Sequence, residues 1–367
     1  MRVLVLTTWF PDTGNQATAP FNLKHVQAIA RGHDVRVVHI RLGGTGAVVS
    51  ENYGGVPVTR IPLSPLRPWG YLALARHVWA ALKEADVLHT MAFTSAVIAA
   101  PLHAFRRTPW VHTEHWSGMA NPASVSKVWV AFSWLRYVLK LPNAVTAVST
   151  AQALQLGRFA RGGRVDVIPN VVAVSKETAG RTGPADGATR LISVGGLVAG
   201  KRPILAVQTL ALLRKDGIDA SLTWVGDGPL RANMMAAAAA AGVADHLSVT
   251  GLVEPQRVQQ ELRKADVFFL PTRHETFCVA AAEAVAAGLP AVVTDLSAVR
   301  DFLTEENSVL VAGGGAQDFA SGIELALRKF ADVSGDTIAG TIPPAFTPLL
   351  VMEEFTRAYA RAGASSP

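Results

Sequence analysis

Cysteine is all but missing from the 367-residue chain, where Cys278 stands alone. No internal disulfide can form, no metal cluster can be built on that thiol by itself, and a reducing cytoplasm is the expected setting. Uncharged apolar runs of about 18 residues are also missing, so nothing reads as a membrane-crossing helix. The opening Met1-Arg-Val-Leu-Val-Leu-Thr-Thr-Trp-Phe-Pro11 is too short for a signal peptide and lacks a small-residue cleavage site. A first strand is expected to begin there at once. The loop that follows does not spell G-x-G-x-x-G, which leaves a dinucleotide-binding reading with little support. No recognisable nucleic-acid-binding module and no dense basic-aromatic ribbon is present either.

What the chain does have is apolar mass and an uneven charge. Half its residues are hydrophobic, enough at this length for two cores, so two domains are expected. Residues 1–173 carry 17 Lys and Arg against 7 Asp and Glu, and residues 174–367 carry 17 against 21, so a basic half (+10) precedes a mildly acidic one (−4). A basic domain points to an anionic partner such as a membrane surface, a phospholipid-like acceptor or nucleic acid.

The first half alternates apolar strand patterns with helical spacing. Strands are expected at Val3–Leu6, Val35–Ile40, Ala85–His89, Pro109–Thr113, Val145–Ser149 and Val165–Pro169. Helices are expected at Phe21–Ala30 and around 71–84 and 92–105, which makes a parallel α/β sheet. Ligands on such sheets bind at the carboxyl ends of the strands, which singles out two loops. Thr7–Phe21, with Gly14, Asn15 and Gln16 at its centre, fits a site that holds an anion or sugar on backbone N–H groups. His112-Thr-Glu-His115 offers an acid–base group or a contact to a developing oxyanion. Its two imidazoles could equally ligate a metal, although no third ligand is apparent, or rest on neighbouring carbonyls. Ser124–Leu141 reads as a helix with Lys127, Arg136 and Lys140 among large apolar residues, and Ser126, Ser133 and Lys140 recur every seven positions. Such a helix suits a membrane surface or packs on the sheet with snorkelling cations.

Residues 174–189 hold three Gly and a Pro without apolar periodicity and read as a linker. A second alternating series follows. Its strands are Leu191–Gly195, Leu222–Gly226, His246–Gly251, Val267–Leu270 and Ala291–Thr294, and its helices lie near 203–215, 229–241 and 255–264. Within it, Glu275 and Glu283 stand eight residues apart. The residues after Thr276 predict a helix that opens near Phe277 and stops at Gly288, ahead of Pro290. Glu275 then precedes the helix N-terminus and Glu283 lies about two turns along it. Such an end suits a phosphate, and a nearby carboxylate suits sugar hydroxyls. Alone, the pair reads as an ordinary amphipathic helix with two solvated glutamates.

The surrounding pieces resemble a known family. Ser193-Val-Gly-Gly-Leu197 with Lys201, Val225-Gly-Asp-Gly-Pro-Leu230, Val249-Thr-Gly-Leu-Val253, Ala265-Asp-Val-Phe-Phe-Leu-Pro271, the E-x7-E stretch and Ala287-Gly-Leu-Pro290 occur in the order found in the donor-binding half of family-4 glycosyltransferases. These are retaining enzymes of the GT-B fold. Phe10-Pro11 with Pro20-Phe21, Gly32-His-Asp-Val35, His115, Ala147-Val-Ser149 and Ile168-Pro-Asn170 match more loosely in the first half. The resemblance implies an α/β protein of two Rossmann-like doubly wound domains facing across a cleft. It assigns 1–173 to the acceptor domain and 190–345 to the donor domain, with a terminal helix at about 346–362 crossing back as a hinge element.

It also implies roles. Glu283 takes the ribose hydroxyls and Glu275 the donor sugar. The backbone of Thr276, Phe277 and Cys278, where the family has Gly-Phe-Gly, meets sugar and diphosphate. Gly251, Leu252 and Val253 meet the base, and Lys201 neutralises the diphosphate. His115 approaches the donor sugar. Gly196 stands where the family has Arg, leaving Arg202, Arg273 or an arginine of the first domain to substitute. No D-x-D sequence occurs, so the metal-dependent clamp of the other large glycosyltransferase fold has no candidate, and neither a metal nor a further cofactor is expected. The expected reaction is transfer from a nucleotide-diphosphate sugar to a hydroxyl acceptor, with retention by front-face substitution. Its setting is the cytoplasm or the inner membrane face, with anionic membrane as a further contact. A sugar-nucleotide epimerase and a non-catalytic nucleotide-sugar-binding protein are the rival readings. The acceptor is a cell-envelope glycan, a lipid-linked or phosphorylated molecule, or a small aglycone.

Overall fold

A computed structural model describes the chain except residues 15–17, 65–67, 105–106, 120–121, 123–124, 173–186 and 365–367. The chain divides into two compact units, Met1–Val171 with Ala345–Pro367, and Val172–Pro344. Most of the expected linker, 174–186, lies outside the described residues.

The first unit runs β1 (Arg2–Thr7), α1 (Pro20–Ile29), β2 (Asp34–Leu42), β3 (Val49–Tyr53), β4 (Val56–Leu63), α2 (Pro68–Glu84), β5 (Val87–Met91) and α3 (Phe93–His103). It continues through β6 (Trp110–Glu114), α4 (Lys127–Ala131), β7 (Ala144–Ala147), α5 (Thr150–Leu156) and β8 (Asp166–Val167). The sheet order is β3-β4-β2-β1-β5-β6-β7-β8, parallel throughout except for β3 on β4. Strand β1 explains the two-sided core: Val3 and Val5 point into one apolar cluster and Leu4 and Leu6 into the other, as the two-residue side-chain period of a strand dictates. The antiparallel β3–β4 hairpin was not anticipated. It turns on Gly54-Gly55, both at positive φ (61° and 87°), the conformation that a two-residue hairpin turn needs.

The second unit runs β9 (Thr189–Val194), α6 (Pro203–Lys215), β10 (Ala220–Val225), α7 (Arg231–Ala240), β11 (Leu247–Gly251), α8 (Pro255–Lys264) and β12 (Val267–Leu270). It closes with α9 (Val279–Ala286), β13 (Ala291–Thr294), β14 (Ser308–Val311), α10 (Ala316–Lys329) and α11 (Gly335–Ala339). Its all-parallel order β11-β10-β9-β12-β13-β14 is the 3-2-1-4-5-6 order of a doubly wound sheet, whose direction of winding reverses between β9 and β12.

The terminal helix α12 (Pro348–Arg361) belongs to the first unit, where Val351, Phe355, Ala358 and Tyr359 join the core with Val26 and Ile29 of α1. Burying each of its large side chains contributes about 1.5–3 kcal/mol. The buried Tyr359 hydroxyl is hydrogen-bonded to His89 Nδ1 at 2.9 Å, and Thr356 Oγ1 to His33 Nε2 at 2.7 Å.

The stretch expected as one helix over 124–141 breaks. α4 ends at Ala131, Phe132 leaves helical geometry (φ −94°, ψ 7°), and a 3₁₀ segment covers Ser133–Lys140. Ser126 is the N-cap, accepting from Trp129 N–H at 3.0 Å, rather than part of a polar stripe. β-Branched Val128 and Val130 and the aromatic residues around them are weak helix formers. Ser124 itself lies outside the described residues. Among the described residues, no helix is long and apolar enough to cross a membrane.

Candidate active site

In the second unit the loops leaving β9 and β12 at their carboxyl ends are tied together. Gly200 C=O accepts from Arg273 N–H at 2.8 Å and from Thr272 Oγ1 at 3.3 Å. The tie brings Lys201 Nζ onto Glu275 Oε1 in a partly buried ion pair. Burial works against the Lys201 charge, but Glu275 and Cys278 outweigh it and leave the lysine pKa raised. The Lys201 stem runs past Gly195, where a Cβ would sit in ordinary contact 3.5 Å from Lys201 Cε but where the φ of 150° itself disfavours a side chain. Gly226, at the end of β10, packs its backbone on Gly195, and a Cβ there would overlap the Gly195 carbonyl.

The helix after this loop opens two residues later than expected. α9 begins at Val279, and Cys278 before it is left-handed (φ 69°, ψ 63°), a conformation that costs a side-chain-bearing residue about 1–2 kcal/mol. Phe277 pins the turn: it is buried and stacks on Phe302, with centroids 5.1 Å apart and planes at 29°. The position that the family fills with Gly therefore does have a glycine-favouring conformation, and Cys278 occupies it. Burial, then the Glu275 charge, push its thiol up to about 12. Thr276 is partly buried beside it. Glu283 is the fifth residue of α9, little more than one turn in, partly buried among Ala281, Ala282, Ala284 and Val285. The helix stops as expected at Gly288 (φ 89°), where Gly288 and Leu289 N–H groups donate to Val285 and Ala284 at 2.9 and 3.0 Å.

Gly251 ends β11 at φ 74°, followed by exposed Leu252 and partly buried Val253. Arg231 reaches the same strand end, donating to Val249 C=O at 3.2 Å and pairing with Asp227 at 2.9 Å. At exposed Gly196 an added Cβ would meet nothing closer than 3.8 Å, so packing does not impose the loss of Arg there. Arg202, itself left-handed (φ 54°), caps α6 and donates to Gly314 C=O. Burial, then the neighbouring charge of Arg273, lower its pKa.

In the first unit β6 runs through Glu114, two residues past His112. His112 is therefore a buried sheet residue, hydrogen-bonded to Thr90 Oγ1 at 2.9 Å and 3.4 Å from Glu114. Only His115 lies beyond the strand. Glu114 turns the chain there, its Oε1 accepting from His115 and Trp116 N–H at 2.8 Å each. The buried His115 ring lies 4.6 Å from Phe21 and 5.3 Å from His25, and neither of its nitrogens has a partner among the described residues. Burial, then the nearby His25, His112 and His89, hold its pKa well below the ordinary value, so the ring is neutral. His25 was not anticipated. Its Nε2 donates to Pro169 C=O at 3.0 Å and its Nδ1 is unpartnered among the described residues, and nothing in the α1 periodicity distinguishes it from a core position. Gly14 N–H donates to Asp12 Oδ1 at 2.9 Å, and Asn15 and Gln16 lie outside the described residues. Among the described residues no three of His, Cys, Asp and Glu are grouped to hold a metal.

A family model described as glycosyl transferases group 1 matches residues 175–330, and one described as a glycosyl transferase 4-like domain matches residues 26–171. The chain belongs to the family-4-like glycosyltransferases. The transferase is 29% identical over 321 residues to the 2-deoxystreptamine glucosyltransferase of Streptomyces kanamyceticus, spanning 78% of this chain and 82% of that one. It is 30% identical over 241 residues to a GDP-mannose-dependent alpha-mannosyltransferase of Mycobacterium tuberculosis, spanning 62% and 60%. In fold it is similar to Anabaena Alr3699/HepE, solved in complex with UDP and glucose, with a TM-score of 0.77 at 16% identity over 98% of this chain and 99% of that one. The transferase thus has the GT-B fold, and the comparisons favour neither the epimerase nor the non-catalytic reading.

Proposed function

We propose that the transferase moves a sugar from a nucleoside-diphosphate sugar to a hydroxyl acceptor, with retention at the anomeric carbon and without a metal ion. The observation that supports this best is the Lys201–Glu275 pair at the winding reversal between β9 and β12, just ahead of α9. Ligands of doubly wound sheets sit at that point, and the pair provides one cation for the diphosphate and one carboxylate for sugar hydroxyls. In the proposed reaction, Lys201 and the free N–H groups of α9 stabilise negative charge as the bond from anomeric carbon to diphosphate oxygen breaks. The acceptor oxygen bonds to the same face of that carbon, and its proton passes to the departing phosphate. Glu275 holds the sugar, Glu283 the ribose hydroxyls, and the backbone of Gly251, Leu252 and Val253 the base. Arg202 and Arg273 supply the cation that Gly196 does not. Titration calorimetry of a nucleoside diphosphate into Arg202→Ala and Arg273→Ala variants tests this, and undiminished affinity in both would refute it. The lone buried Cys278 fits a cytoplasmic setting.

The test of the whole reading is a thermal-shift screen of nucleotide sugars, since a ligand raises the melting temperature by mass action. Transfer is then assayed with the stabilising donor, with and without chelator. A product of unchanged anomeric configuration, formed equally in chelator, is expected. Epimerised donor without acceptor, or binding without turnover, would overturn the reading. A glycosyl adduct on Glu275 would replace the front-face step by a double displacement.

A further inference from the structure

Between Glu114 and Asp166 the chain has no Asp or Glu, yet it carries Lys127, Arg136, Lys140, Arg158, Arg161 and Arg164. The middle of this run is α4 and the 3₁₀ segment Ser133–Lys140, and it has two sides. One is anchored. Trp129 Nε1 donates to Gly118 C=O at 2.9 Å, its ring lies 5.1 Å from Trp116, and Leu139 is fully buried. The other is left open, with Val128, Phe132, Trp134, Tyr137 and Leu141 each more than half exposed, up to 67% for Val128. Such a cluster of large apolar side chains is unusual on a protein that has no further use for it.

The cations are interleaved with this open side. Lys140 Nζ lies 5.1 Å from the Tyr137 ring centre, and Tyr137 stands edge-on to Phe159 at 5.3 Å. The guanidinium groups of Arg136 and Arg158 lie 4.4 and 4.7 Å from the Phe159 ring. Aromatic rings with a polar tip belong at the headgroup level of a bilayer, aliphatic side chains just beneath it, and Lys and Arg on anionic headgroups. The lack of any carboxylate over this run removes the repulsion that would otherwise oppose such docking.

We infer that the open side of residues 125–141, together with Arg158, is a docking surface for an anionic lipid bilayer. The ridge inserts Phe132, Trp134 and Leu141 shallowly, while Lys127, Lys140 and Arg158 lie on the headgroups. This surface would bring the transferase to acceptors held at a membrane.

The experiment is flotation of the full chain with vesicles of phosphatidylglycerol and phosphatidylcholine in equal parts, against phosphatidylcholine alone. Binding to the anionic vesicles, weakened by raised salt, is expected. Lys127→Ser with Lys140→Ser lowers vesicle affinity about 25-fold, at about fivefold for each cation, and Phe132→Ser with Trp134→Ser abolishes flotation. All four positions are exposed, so the melting temperature and nucleotide binding of these variants should match the parent and exclude misfolding. Failure of the parent to float, equal binding to neutral vesicles, or flotation indifferent to both pairs of substitutions would overturn the inference. So would a dimer in solution that the Phe132→Ser and Trp134→Ser changes dissociate, because the ridge would then meet a second copy. Flotation reads lipid contact alone, so its failure leaves the transfer chemistry standing.

Discussion

The Lys201–Glu275 pair invites a double-mutant cycle. Its side chains are 23% and 11% exposed, which places it between two limits. An exposed pair contributes up to about 1 kcal/mol, whereas stripping one partner from a dry pair costs about 3–5 kcal/mol because the other charge is orphaned. Interpolation gives about 2–3 kcal/mol for Lys201→Met and similarly for Glu275→Gln. For a unit of about this size, each kcal/mol lowers the unfolding midpoint by about 2–4 °C, so each variant should melt roughly 4–12 °C lower. The double variant orphans no charge, so its loss should stay near that of one single, giving a coupling of about 2 kcal/mol. Binding provides a second readout. Lys201→Met should weaken nucleoside diphosphate binding, while Glu275→Gln should leave it unchanged or stronger, having removed a carboxylate that competes with phosphate, yet lower transfer about a hundredfold. Calorimetric unfolding and diphosphate titration of the four proteins would settle it. Single effects that add to within about 0.5 kcal/mol, or a Glu275→Gln variant that loses diphosphate affinity like Lys201→Met, would refute the reasoning.

At the left-handed Cys278, Cys278→Gly should be more stable than Cys278→Ala by about 1 kcal/mol, because Ala keeps the Cβ that the conformation penalises; equal midpoints in denaturant would contradict this. The first unit should lose stability in mild acid. Burial holds His25 at about 4 and His89 and His115 well below the ordinary 6.5, so the unfolded chain binds protons that the folded chain refuses. Stability is then full above about pH 6.5 and falls towards pH 4, by about 1.4 kcal/mol per pH unit for each histidine. Denaturant titrations across that range check it, and a flat profile would show that these rings titrate normally.

Most strands of the parallel sheets were legible because they are buried on both faces and read as unbroken apolar runs, such as Val3–Leu6 and Val267–Leu270, whereas the parallel strands β4 and β14 were not anticipated. β3 was missed because it is a partly exposed strand whose Ser50, Glu51 and Asn52 carry no apolar pattern, although Gly54-Gly55 was a usable hairpin signal. The start of α9 was misplaced because helix propensity is local. The stack of Phe277 on Phe302 that accompanies the left-handed turn at Cys278 joins positions far apart in the chain. The same limit explains His112. Its neighbours in sequence suit a loop, and its place inside β6 is set by pairing with β5 and β7.

Residue type and spacing pointed to a class of chemistry only through the resemblance to family-4 glycosyltransferases, carried by Lys201, by Glu275 and Glu283 eight apart, and by His115 after a strand. Such signals are local, carried by a few neighbouring side chains. Only the tertiary structure decided which charge meets which. Lys201 and Glu275 are 74 residues apart and pair because β9 and β12 are neighbours in the sheet and Gly200 ties their loops. It also decided that His115 is buried and neutral, since burial is a property of everything packed around a ring and of nothing in the ring's own sequence.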